Sequence, residues 1–175
     1  MLSLPPLLAL GASAAAAGTD LKTGHIPNWL TLPLLLVGPA IAAFEAQKRG
    51  ASALQAAGVS LLGVLICSAV PYLLFRAGGM CGGDVKLLAA VGALLGPVDG
   101  LEAELYSFVA AAIFALGRMA FHGQLLAVLG RSARLAMRAV RTDVPEVPQE
   151  LMTSMRFGPA VFAGVGVVVV LGGGP

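Results

Sequence analysis

Charge is the property this sequence has least of. Lys, Arg, Asp and Glu together supply 11% of its 175 residues, against about a quarter in a soluble domain of this size. A water-exposed surface cannot be assembled from so few. Cysteine is nearly as scarce: Cys67 and Cys81 are the pair present, too few for a disulfide framework, and no CxxC pair offers zinc-ligand spacing. No cofactor or metal site is expected. A formal net charge of +2 is too small to argue for nucleic acid. What is there instead is apolar: 58% of the residues are hydrophobic, and several windows approach the roughly 20 uncharged residues that a membrane-spanning helix needs.

The pattern predicts an all-α, polytopic membrane protein forming a single domain over 1–175, with six spans near 2–19, 29–46, 52–75, 85–98, 101–121 and 157–174. The fourth is short for a bilayer core at about 1.5 Å per residue. Basic residues gather in alternate loops. Lys22, Arg76, Lys86, Arg118, Arg131, Arg134, Arg138, Arg141 and Arg156 fall on one side, and Lys48 and Arg49 on the other, beside the acidic Asp99, Glu102 and Glu104. The richer side is cytoplasmic, so the N-terminus is expected outside. The first segment has small residues at Ser13 to Ala17 but lacks the basic start of a signal peptide, and it reads as a retained span. Between His122 and Arg156, arginines recur at helical spacing opposite Leu126, Leu129, Ala133, Ala136 and Val140. That predicts an amphipathic helix on the anionic cytoplasmic lipid surface, broken at Val144-Pro145-Glu146-Val147-Pro148.

Two carboxylates stand apart from the other acids. Asp20 and Asp84 both fall at span ends on the cytoplasmic side, in loops dense with turn residues, and each has a lysine two residues on. Positions i and i+2 diverge on a helix, so Lys22 and Lys86 can reach headgroups while the acids point inward. Two such acids suffice for amide hydrolysis: one ionised to take a proton from water, one protonated to give a proton to the leaving nitrogen. Helix polarity would separate them, because Asp84 opens a helix and Asp20 closes one, which favours Asp84 as base and Asp20 as acid. Gly82 and Gly83 would let an extended substrate backbone approach. Each acid also has a purely structural reading, Asp84 as the fourth helix's N-cap and Asp20 as an interfacial acid. Asn28 reads as an N-cap and Trp29 as an interfacial anchor. His25 with Cys81 would make a thiol protease dyad, but no third partner is visible. Intramembrane acids and Gly/Pro-broken helices also mark ion pathways, so a small transporter or channel is the rival reading, and an inert subunit of a secretion assembly a third.

These residues resemble a known family. Met80-Cys81-Gly82-Gly83-Asp84-Val85-Lys86-Leu87 is similar to the GxGD active-site motif of type IV prepilin peptidases. Asp20 followed by Ile26-Pro27-Asn28 resembles that family's first-aspartate region, and Arg156-Phe157-Gly158-Pro159-Ala160 looks like the start of its last helix. The resemblance implies an intramembrane aspartyl endopeptidase of the bacterial inner membrane, with Asp20 and Asp84 catalytic and Cys81, Gly82, Gly83 and Lys86 in the active-site loop. It implies a prepilin substrate with a short basic leader, cut at the cytoplasmic face. Larger members also carry a cysteine-rich insert and a methyltransferase activity. This sequence has neither those cysteines nor room for the insert, and so resembles the short branch tied to Flp-type tight-adherence pili. One departure is Cys81, which stands where the motif has its first glycine. It is expected to be tolerated as a small residue, provided the backbone there is not left-handed.

Overall fold

The computed structural model describes residues 4–121 and 156–172, and the described residues are helical with no strand. Among the described residues five helices succeed one another: α1 (Leu4–Thr23), α2 (Asn28–Lys48), α3 (Ala53–Arg76), α4 (Gly82–Phe121) and α5 (Gly158–Leu171). The expected amphipathic helix lies outside the described residues. Residues 4–110 and 156–172 form one compact unit, which carries both Asp20 and Asp84, and the last turns of α4 belong to a second.

Among the described residues three helices are long and apolar enough to cross a membrane: α2, α3 and Gly82–Arg118 of α4, while α5 is a shorter apolar helix. The packing is that of a membrane bundle. Large side chains such as Leu36, Phe44, Leu54, Leu65, Leu73 and Val170 face outward, whereas the buried positions of α1 ahead of Asp20 are Ala9, Ala12, Ser13, Ala16 and Ala17. Lipid is as apolar as leucine, so burying leucine gains little there. Association rests on close van der Waals approach, which small residues allow.

The expected fourth and fifth spans form one helical element with a break at Gly96, whose φ of 83° and ψ of −178° are open only to glycine. Pro97 comes next, extending the residue before it and opening the next helical turn without needing an N–H partner. The break is a reversal. In a straight helix Gly92 and Gly100 would lie about 12 Å apart, yet a Cβ on Gly100 would sit 3.0 Å from the Gly92 Cα. Two arms, 82–95 and 97–110, therefore fold against each other, and the division comes at Gly96 rather than between 98 and 101.

The first arm is the centre of the fold. Leu87, Leu88, Ala89, Ala90, Val91, Ala93 and Leu94 are all buried, so its whole circumference is enclosed. Gly63 of α3 meets Gly92 backbone to backbone, and a Cβ on Gly38 of α2 would meet the Ala93 Cβ at 2.8 Å. Ser60 Oγ donates to the Ala93 carbonyl at 2.6 Å. Walled in by protein, an arm of about 20 Å has no need to match the bilayer's roughly 30 Å. At the opposite end from Asp20, the Leu4 N–H donates to Glu45 Oε1, setting the start of α1 beside the end of α2. α5 packs along α1, and its Gly164 fits against Ala103 and Ser107 of the second arm.

Candidate active site

The site is built where four helix ends meet. α1 runs past Asp20 to Thr23 and stops there because Gly24, at φ 69°, returns its N–H to the Asp20 carbonyl at 2.8 Å. Asp20 thus lies inside the last turn, and at 5% exposure it is buried rather than interfacial. The turn then brings Ile26 under α4, where a Cβ on Gly83 would meet the Ile26 Cβ at 3.2 Å. The space that a side chain on Gly83 would take is thus filled by Ile26 of this chain. Gly82 has only an ordinary 3.5 Å contact with the Phe75 ring.

Asp84 is also 5% exposed. Since α4 begins at Gly82, Asp84 occupies its first turn and is not its cap. The Asp84 N–H donates to the Cys81 carbonyl at 3.1 Å, and the Cys81 backbone lies close to the Asp84 carboxyl. Asp84 and Asp20 lie within electrostatic reach of each other, and Cys81 is within reach of both. Partial desolvation raises the Cys81 thiol above its ordinary range, and the negative charges of Asp84 and Asp20 add to this. No residue other than glycine has a positive φ among the described residues, so the backbone at Cys81 is one that cysteine adopts without strain.

Lys86 Nζ donates to Asn28 Oδ1 at 2.9 Å, tying α4 to α2. Lys86 is therefore tied to α2 by a bond at the exposed end of the bundle, and Asn28 serves that tie while Pro27 takes the N-cap position of α2. Lys22 is exposed, and Trp29, at 70% exposure, has the placement an interfacial anchor requires. His25 Nδ1 lies 3.0 Å from the Thr23 carbonyl in its own turn.

The start of α5 completes the site. The Gly158 N–H donates to Asp20 Oδ2 at 2.9 Å, and Arg156 Nη1 donates to the Leu21 carbonyl. This overturns the premise that helix polarity separates the two acids. Asp20 closes α1, but its carboxyl faces the first amide of α5, so both carboxyl groups meet a helix N-terminus. The sequence signal was the Arg156-Phe157-Gly158-Pro159 block itself, whose Pro marks a helix start, although nothing local says which acid it faces.

Sequence reasoning also missed Glu104. Grouped there with the outer acids, it is 2% exposed inside the bundle, and its Oε2 has no hydrogen-bond partner among the described residues. Its electrostatic neighbour is Cys67 rather than either aspartate. Among the described residues, no group of three or more His, Cys, Asp or Glu side chains is arranged to hold a metal ion.

Compared with known proteins, residues 7–116 match the model of the type IV leader peptidase family, well over half of the chain. No curated protein and no solved structure matches it.

Proposed function

The chain belongs to the type IV leader peptidase family, a membership that makes it a membrane peptidase acting on prepilins, and from that premise we propose an aspartyl mechanism using Asp20 and Asp84. The observation that carries this reading is the burial of two carboxyl groups at one end of the bundle, each within reach of the other's charge. Two carboxyl groups so placed suit an acid–base pair, whose working state has one member ionised and the other protonated. The ionised member takes a proton from water, whose oxygen adds to the scissile carbonyl carbon. The other gives its proton to the amide nitrogen as the C–N bond breaks, and an amine and a carboxylic acid leave.

The finer assignments belong to the same reading. Cys81 ends the loop ahead of Asp84, and Gly82, Gly83 and Lys86, expected in that loop, lie in the first turns of α4 around it. The two arms of α4 count as separate passes of six, with the N-terminus outside the bacterial inner membrane and the site at the cytoplasmic face. The substrate is a prepilin of the Flp type, with a short basic leader ahead of an apolar helix. The purified protein, incubated with such a prepilin in detergent, should yield a shortened product. Asp20→Asn and Asp84→Asn should each abolish it while the protein still inserts and folds, and Asp99→Asn should not. Cleavage by either site variant at a rate near the parent's would refute the two-aspartate mechanism. A parent that never cleaves would return the chain to the class of inert membrane subunits.

A further inference from the structure

The entrance to α5 touches the end of α1 in two ways that no feature of α1 requires, one at Asp20 and one at Leu21. The Gly158 N–H donates to Asp20 Oδ2 at 2.9 Å, and Arg156, one residue before Phe157, reaches across to the Leu21 carbonyl, next after Asp20 in the chain. The fit is tight on the glycine side. A Cβ at position 158 would stand 2.9 Å from the Asp20 Cβ and 3.2 Å from the Ala17 Cα. Phe157 between them is buried, with its ring 5.4 Å from that of Phe108, which seats this stretch in the bundle. A carboxyl on a helix's last turn is ordinarily free to rotate about two torsions. Here one oxygen accepts the Gly158 N–H and the backbone beside it is held, so Oδ1 is the freer of the two to meet water or substrate.

We infer that Gly158 and Arg156 form a clasp that orients the Asp20 carboxyl, making them positioning residues for the reaction. The inference rests on the two-aspartate reading. Arg156 holds the end of α1, where a cation suits the unpaired carbonyls, and the Gly158 amide fixes the rotamer of the acid itself. Neither contacts the scissile bond. Their loss should therefore lower turnover without weakening substrate binding.

The test uses the full-length protein in detergent with a prepilin substrate, and reads kcat and KM separately. In Arg156→Gln, kcat should fall about tenfold or more with KM unchanged, and Arg156→Lys should recover part of the loss. In Gly158→Ala, the Cβ displaces the carboxyl by an appreciable part of an ångström, and the loss should approach about a hundredfold. Because Gly158→Ala can fail to fold, a second measurement reads the contact without catalysis. Phe157-Gly158 is the single Phe-Gly pair in the sequence, so carbonyl-labelled Phe with ¹⁵N-labelled Gly isolates its amide resonance. Its proton should move upfield in Asp20→Ala and stay in place in Asp99→Asn. If Asp20→Asn cleaves at the parent rate, the two-aspartate reading falls and the clasp with it. If Asp20→Asn is inactive while Arg156→Gln keeps the parent kcat, or the Gly158 resonance ignores Asp20→Ala, the clasp alone is overturned.

Discussion

Gly92→Ala tests whether the central arm is held by backbone contact. The added Cβ would meet the Gly63 carbonyl carbon and the Cys67 Cβ, both at 2.8 Å, where carbon atoms prefer about 3.5 to 4.0 Å. One obstacle is backbone and the other is a buried Cβ, so no rotamer change relieves them. α3 and the first arm of α4 must separate by roughly 1 Å, which as overpacking costs about 1 to 3 kcal/mol. Gly58→Ala on the same α3 is the control, since nothing lies within 4 Å of its Cβ. There, alanine should be neutral, or should gain up to about 1 kcal/mol from helix propensity. Unfolding in mixed micelles, monitored by circular dichroism against the SDS fraction, gives the two stabilities side by side. Cleavage should suffer as well. Asp84 rides on the displaced arm, and a shift of about 1 Å at a reacting group costs about a hundredfold in rate. A Gly92→Ala protein as stable and as active as Gly58→Ala would refute the packing argument.

Single contacts set the other expected outcomes. Ser60→Ala removes the buried bond to the Ala93 carbonyl and should cost about 0.6 kcal/mol, the usual value for an interhelical hydrogen bond in a bundle, by the same unfolding measurement. Cys81→Ala should cleave as the parent does, since its backbone is unstrained and its sulfur has no chemical role. A full loss with folding intact would revive the thiol reading. Because desolvation, then Asp84 and Asp20, raise the Cys81 thiol, its thiolate is scarce at neutral pH, and maleimide labelling should accelerate as pH rises. In Asp84→Asn the same rise should begin at lower pH, and an unchanged profile would contradict the electrostatic contact. For topology, Gln47→Cys should react with an impermeant reagent in intact cells and Ala77→Cys should not. The reverse pattern would invert the charge argument.

Membrane residence and helical class were legible without a fold, because they depend on composition and on runs of a given length, and both are properties of the chain in one dimension. The Gly82-Gly83-Asp84 and Ile26-Pro27-Asn28 blocks were legible for a similar reason: turn chemistry is local. What local reasoning could not supply was the partner across the bundle. Ile26 fills the space that a side chain on Gly83 would take. Asn28 ties Lys86 to α2. Glu104 counts as one more outer acid until the reversal at Gly96 carries it inside. Asp20 shows the limit most clearly. Its place near a helix end could be read from Gly24 and Pro27, but the amide facing its carboxyl belongs to Gly158, 138 residues away in the chain. Sequence determines which residues make helices and turns, because those choices are settled within a few positions. The environment of a buried carboxyl depends on which helix end packs against it, and only the tertiary structure decides that.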